Sequence, residues 1–130
     1  MSPPSIDIKT LLMNASALGL SYELNLFVSK EPTTPDDCVT IYDTPGGVPD
    51  LTMDNVEYNR PSTQVRVRAT DYTTGWTLIH DIKRALHGKG PMRVGDTLYT
   101  VILCTGEPFM LGRDERNRVI FVANFNMQRR

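Results

Sequence analysis

The spacing of apolar and polar positions changes along the chain, and each change marks an element. In "SIDIKTLLMNASALGL", Ile8, Leu11, Leu12 and Ala15 share one helical stripe, with Ser5 or Asp7 placed to cap the start and Gly19 to close the end. Tyr22 to Ser29 then alternates Leu24, Leu26 and Val28 against mostly polar neighbours, which predicts a first strand. The turn cluster "KEPTTPDD" separates it from a second strand, "CVTIYD". From Thr44 to Pro61 the Gly and Pro content predicts a long irregular connection. Connections of that length inside a compact domain are often functional. "STQVRVRAT" sets Val65, Val67 and Ala69 against Gln64, Arg66 and Arg68 at strand spacing. "TTGWTLIHDIKRALHG" places Leu78, Ile79, Ile82, Ala85 and Leu86 on one helical stripe, with Gly88 to stop it. A loop, "KGPMRVGD", precedes two strands, "TLYTVILC" and "RVIFVANFNMQ".

The order is helix, two strands, long loop, strand, helix, two strands. It predicts an α+β fold, a mostly antiparallel β-sheet with two α-helices packed on one face, in a single small domain spanning residues 1–130. The last two strands are apolar on both faces. Val101 and Leu103 oppose Leu98 and Ile102, while Ile120 and Val122 oppose Phe121 and Phe125. Helices on one face would leave the other to be covered by loops or by a second subunit.

Composition narrows the class. The 130 residues are 40% hydrophobic and 22% charged, as in a soluble globular domain, and long enough for a core without disulfides or metal. A net charge of -1 argues against a protein built mainly to grip nucleic acid. The cysteines, Cys38 and Cys104, lie in or beside apolar runs and read as buried free thiols. The start carries no basic n-region or long apolar h-region, and no apolar run approaches the ~20 residues of a membrane span. A reducing cytoplasm is the expected place of synthesis, and the sequon Asn14-Ala15-Ser16 is then coincidental.

Reactive constellations are weak. His80 and His87 lie two turns apart on the second helix beside Lys83 and Arg84; without further ligands they read as a solvated basic face. Asp81 and Lys83, with Pro35-Asp36 and Pro49-Asp50, raise a metal-dependent nuclease. Asp81 and Lys83 diverge on a helix, however, and the Pro-Asp pairs sit in turn clusters. Gly46-Gly47 lacks a following Gly-Lys-Ser/Thr and reads as a turn. Arg66 and Arg68 read as a polar sheet face or as intersubunit ion pairs, with no aromatic residue interleaved to stack bases.

Four segments occur in order: "VTIYDTPGGVPD", "NRPSTQVRVRA", "IKRALHG" and "GEPFMLGRDERNRVIFVANF". Together they resemble the tail terminator or minor capsid proteins of long-tailed bacteriophages, from Val39 onward. The phrase from Pro108 to Glu115 carries most of the likeness. The resemblance implies a small subunit, without cofactor, metal or catalytic residues, that forms a homo-oligomeric ring, a hexamer. That ring caps the tail tube, ends polymerisation and joins the tail to the head connector or stopper protein. Double-stranded DNA passes through the ring without specific binding, and no membrane is involved. A stopper or adaptor of the neck, or a small nuclease, are the alternatives. The resemblance also implies that "TGEPFMLGRDERNRVIFVANFNM" is a hairpin with a polar tip, its neck fixed by Pro108-Phe109 and Leu111-Gly112. Met110 departs from an expected aromatic or aliphatic residue, and Arg116 or Asn117 stands where a tip glycine is common. Candidate interface residues are Arg66, Arg68, Pro108, Phe109, Leu111, Arg113, Asp114, Glu115, Arg116 and Arg118. The mixed signs at the tip suit a protein partner and set orientation more than affinity.

Overall fold

The computed structural model describes residues 2–51 and 57–130. Helix α2 (Tyr72–Leu86) starts where the Asp71 carboxylate accepts from the Thr74 amide at 3.0 Å, and it buries Gly75, Ile79, Ile82 and Leu86. Helix α1 (Pro4–Asn14) has no such cap of its own, because its N-cap is Pro3. Asp43 takes the expected capping role of Ser5 or Asp7 from a distant strand. Its carboxylate accepts from the Ser5 amide at 2.9 Å and from the Ser5 hydroxyl at 2.8 Å. Asp7 turns inward instead. Tyr99 donates its hydroxyl to it, and Arg129 Nη1 lies 3.5 Å away. Gly19, at φ +65°, closes a 3-10 turn (Ser16–Leu18) that follows α1, not α1 itself.

The strands are β1 (Leu26–Val28), β2 (Cys38–Leu51), β3 (Glu57–Ala69), β4 (Met92–Val94), β5 (Thr97–Cys104), β6 (Phe109–Arg113) and β7 (Val119–Arg129). They form one sheet in the order β1-β2-β3-β7-β5-β4, with β6 also paired to β7. β1 runs parallel to β2 and the other pairings are antiparallel, so the sheet is mixed.

Three sequence expectations change. The strand expected from Tyr22 to Ser29 shrinks to Leu26–Val28. The amides of Leu24, Asn25 and Leu26 all donate to Ser21 O, and Glu23 and Ser29 adopt positive φ, so a turn replaces its first half. The stretch expected to be irregular from Thr44 to Pro61 is largely a β-ribbon. Its register with β3 shifts between Thr44 and Gly47 and again between Gly47 and Asp50. These bulges absorb Pro45 and Pro49 on the side of β2 that faces no strand beyond β1, where a missing N–H costs no ladder bond. Gly46 belongs to this close approach rather than to a turn, since a Cβ there would sit 2.2 Å from Arg60 O. Residues 52–56 of the stretch lie outside the described residues. Lastly, the loop "KGPMRVGD" contains β4, which turns back onto β5 through Gly95 at φ +61°.

Register fixes the core. Val39, Val67 and Phe121 lie in line, as do Ile41, Val65 and Ala123. They cluster with Ile8 and Leu12 of α1 and with Ile79, Ile82 and Leu86 of α2. A Cβ at Gly75 would meet the Phe121 ring at 3.0 Å, so this glycine lets α2 settle onto the sheet. Each fully buried Ile, Leu or Phe contributes about 1.5–3 kcal/mol. On the opposite face Cys38, Thr40, Arg68, Ile120 and Val122 are also buried. Part of their cover is the chain's own segment around Glu31 to Asp36, held by Arg68. Of the two free thiols, Cys38 is buried as expected and Cys104 is half-buried. No helix among the described residues is long and apolar enough to cross a membrane.

Candidate interface

β6 and β7 form the hairpin that the resemblance implies, and its tip is built around Asp114. The Asp114 amide donates to Arg118 O at 3.0 Å, and the Asn117 amide donates to Asp114 O at 3.0 Å. Asn117 sits at φ +61°, the left-handed position that glycine often fills, and Asn tolerates it through its short polar side chain. Asp114 Oδ1 accepts from the amides of Arg116 and Arg118 at 3.0 and 2.9 Å. Desolvation pushes the Asp114 carboxyl up, but these amides and the Arg118 guanidinium hold it net below the usual aspartate range.

Arg118 works inside the chain. Its Nε donates to Asp114 Oδ2 at 2.7 Å, and its Nη1 donates to Thr33 O at 2.6 Å and to Asp36 Oδ1 at 3.1 Å. Arg68 is buried and makes a second clamp on the same segment. Its Nε donates to Asp36 O at 3.2 Å, its Nη2 to Pro35 O at 2.6 Å and its Nη1 to Glu31 Oε1 at 3.1 Å. Pro108 is buried as well. These three candidate interface residues are therefore buried and make their contacts within the subunit, which alternation alone could not foresee. Arg66 is half-buried, 3.8 Å from Glu31 Oε2 and 5.8 Å above the Tyr42 ring.

The remaining candidates stand at the surface. Phe109 is 48% exposed, Leu111 53% and the neighbouring Met110 38%. Arg113, Glu115 and Arg116 are exposed, and Arg113 Nη1 donates to Asn117 O at 3.1 Å. An open cleft of about 610 Å³ lies between this tip and Glu31–Thr33. Leu103 on β5 is also exposed, at 44%, and its place in a two-sided apolar strand was the signal for it.

The residues weighed for catalysis do not converge. His87 is exposed at the C-cap of α2, as a solvated face implies, and its Nδ1 also accepts from the Cys104 amide at 2.9 Å, which ties α2 to β5. His80 stacks on Trp76 with ring centroids 3.8 Å apart, and its Nε2 lies 3.6 Å from Glu107 Oε2. Lys83 Nζ donates to Glu107 Oε1 at 2.8 Å, and that bond holds the Glu107 carboxyl below its usual range. Asp81 pairs with Arg84, and Asp36 with Arg118. Among the described residues no group of three or more His, Cys, Asp or Glu gathers as metal ligands would.

Fold and surface define a class: a small α+β subunit marked by an apolar edge strand in solvent beside a charged hairpin tip. The model of the bacteriophage tail terminator protein family matches residues 7–130, and the chain belongs to that family. It is a structural protein of the phage tail. Its fold is similar to that of a chain in a solved virion of a native gene transfer agent particle, with a TM-score of 0.68 over 97% of this chain and 93% of that one. At 11% identity the likeness is one of fold. A comparison with curated proteins finds no match.

Proposed function

We propose that the chain forms a ring, a hexamer, that caps the tail tube, ends tail polymerisation and joins the tail to the head connector or stopper. It is assembled in the host cytoplasm and carried in the virion at the tail-to-head junction. The family match over residues 7–130 is the observation that carries this reading. The exposed apolar strand beside a tip of mixed charge supports it, because such patches mark association surfaces. A subunit charge of -1 suits a ring through which double-stranded DNA slides. DNA carries a charge about every 1.7 Å, and a strongly basic lumen would retain it.

Deletion of the coding sequence tests the proposal in one electron-microscopy experiment. The expected particles are tails of uncontrolled length with heads unjoined. Tails of normal length that fail to join heads would overturn termination and leave a neck stopper. Retardation of duplex DNA by the purified ring at physiological salt would contradict the sliding passage.

A further inference from the structure

We propose that the outer edge of β6 receives an extended strand of the tail tube protein, which completes the sheet across the junction. The inference rests on the capping reading and names the contact that performs it.

Among the described residues, β6 pairs with β7 on one side and with no strand on the other. The remaining sheet edges are closed by their own sequence. At β1, three residues long, the Leu26 amide donates to Ser21 O and its carbonyl accepts from the Glu23 amide at 2.8 Å, so its outward groups at Leu26 are already used. The free edge of β2 carries Pro45, Pro49 and two register shifts. β4 is three residues long and directly follows Pro91. Such devices keep strand edges from pairing with other chains. β6 has one register shift, between Met110 and Gly112, which bends the strand and leaves Phe109 to Leu111 bare.

The exposure pattern is informative. In a strand covered on one face, alternate side chains are hidden. Phe109 and Met110 are neighbours on opposite faces and both are exposed, as is Leu111, so β6 is open to solvent on both faces. An arriving strand would meet main-chain groups on the edge and apolar side chains above and below it, which is the recognition mode of strand addition. Arg113 and Arg116 follow at the end of this edge. The Arg113 side chain donates to Asn117 O, and both side chains are exposed. Glu115 is exposed between them, so the two arginines leave this end of the edge with one net positive charge. The tube segment that fits is therefore extended, apolar at alternate positions and acidic where it meets Arg113 and Arg116. Among the described residues, a second copy offers no matching edge other than its own β6.

The test mixes the purified protein with tail tubes prepared from particles that lack it, and follows amide hydrogen exchange. Exchange at residues 109–113 is expected to slow at least tenfold on the tubes. Leu111→Lys and Phe109→Lys are expected to weaken tube binding at least tenfold, while Leu24→Lys, at an exposed leucine elsewhere, leaves it unchanged. Arg116→Glu is expected to weaken it severalfold. Tubes that bind without slowing exchange at 109–113 would overturn this proposal and leave capping intact. Protein that does not bind the tubes at all would overturn both. Protection of 109–113 that appears without tubes and grows with protein concentration would assign the edge to a second copy and overturn the tube strand.

Discussion

β7 and β6 pair with each other and are both apolar, yet their surroundings differ on every side. β7 has β3 along one edge, and β6 then β5 along the other. Helix α2 packs over Phe121 on one face, while Arg68 stands beside Ile120 on the other. Val119 to Ala123 and Phe125 are buried as a result. Among the described residues β6 has β7 along one edge only, and Phe109, Met110 and Leu111 are exposed. The comparison teaches that an apolar strand is core or interface according to how many of its sides are filled. The composition of "FML" and of "VIFV" says nothing of that by itself.

The largest effect that sharpens the contrast is core truncation. Phe121→Ala is expected to cost about 3–5 kcal/mol, because it removes a ring packed under Gly75 and beside Tyr72. Leu111→Ala is expected to stay within about 0.5 kcal/mol. Urea denaturation of both variants measures the difference. A comparable loss at Leu111 would mean that β6 is part of the core after all.

Next comes the clamp over the opposite face of β7. Arg68→Met is expected to cost about 3 kcal/mol, because it leaves Glu31 and the Pro35 and Asp36 carbonyls without their buried donor. It should also speed amide exchange in residues 31–37 before the rest of the chain. Global unfolding without that local opening would show that the segment is held by other contacts.

The contrast also shows what the sequence made legible. The stripe of Ile79, Ile82 and Leu86 and the alternation of Val65, Val67 and Ala69 needed only the helix and strand periods, and both elements are present. The two-sided apolar character of β7 was visible too. Its cover was not, because Arg68 sits at an outward position by alternation and is buried only when a segment from residues 31–36 folds over it. The parallel pairing of β1 was equally hidden, since period two carries no strand direction. The ribbon after Thr44 was misread because prolines count against a strand only where a neighbour needs the missing N–H. At the hairpin, the charge run located the tip. Nothing in it distinguished Asp114, which holds the turn, from Glu115, which does not.

That distinction has a pH signature. The Asp114 carboxyl is held below its ordinary range in the folded chain, so its contribution is present above about pH 3.9, the unfolded value. It is lost as pH falls through the lower folded value. Titration of the Arg116 and Arg118 amide resonances is expected to show a midpoint below the ordinary aspartate value. Asp114→Asn should abolish the step. A midpoint at or above that value would mean that the amide bonds to Asp114 do not persist in solution.

The smallest expected effect lies at the very tip, where the comparison between shape and surface is sharpest. Glu115 and Arg116 are exposed, and the backbone of the turn is held by Asp114 and Asn117 without their side chains. Glu115→Ala and Arg116→Ala should each leave stability within about 0.5 kcal/mol. A simultaneous change of Arg113 and Asp114 is a different case, because it removes the carboxylate on which the turn is built. If the tip orients a partner, the Glu115 and Arg116 variants should fold and melt as the parent does and yet join tails to heads less efficiently. They should lose more of that efficiency at low ionic strength, where charge steering is strongest. Variants that melt normally and give a full yield of infectious particles would reduce these two side chains to solvated turn residues. The apolar edge of β6 would then be the sole contact offered by the hairpin.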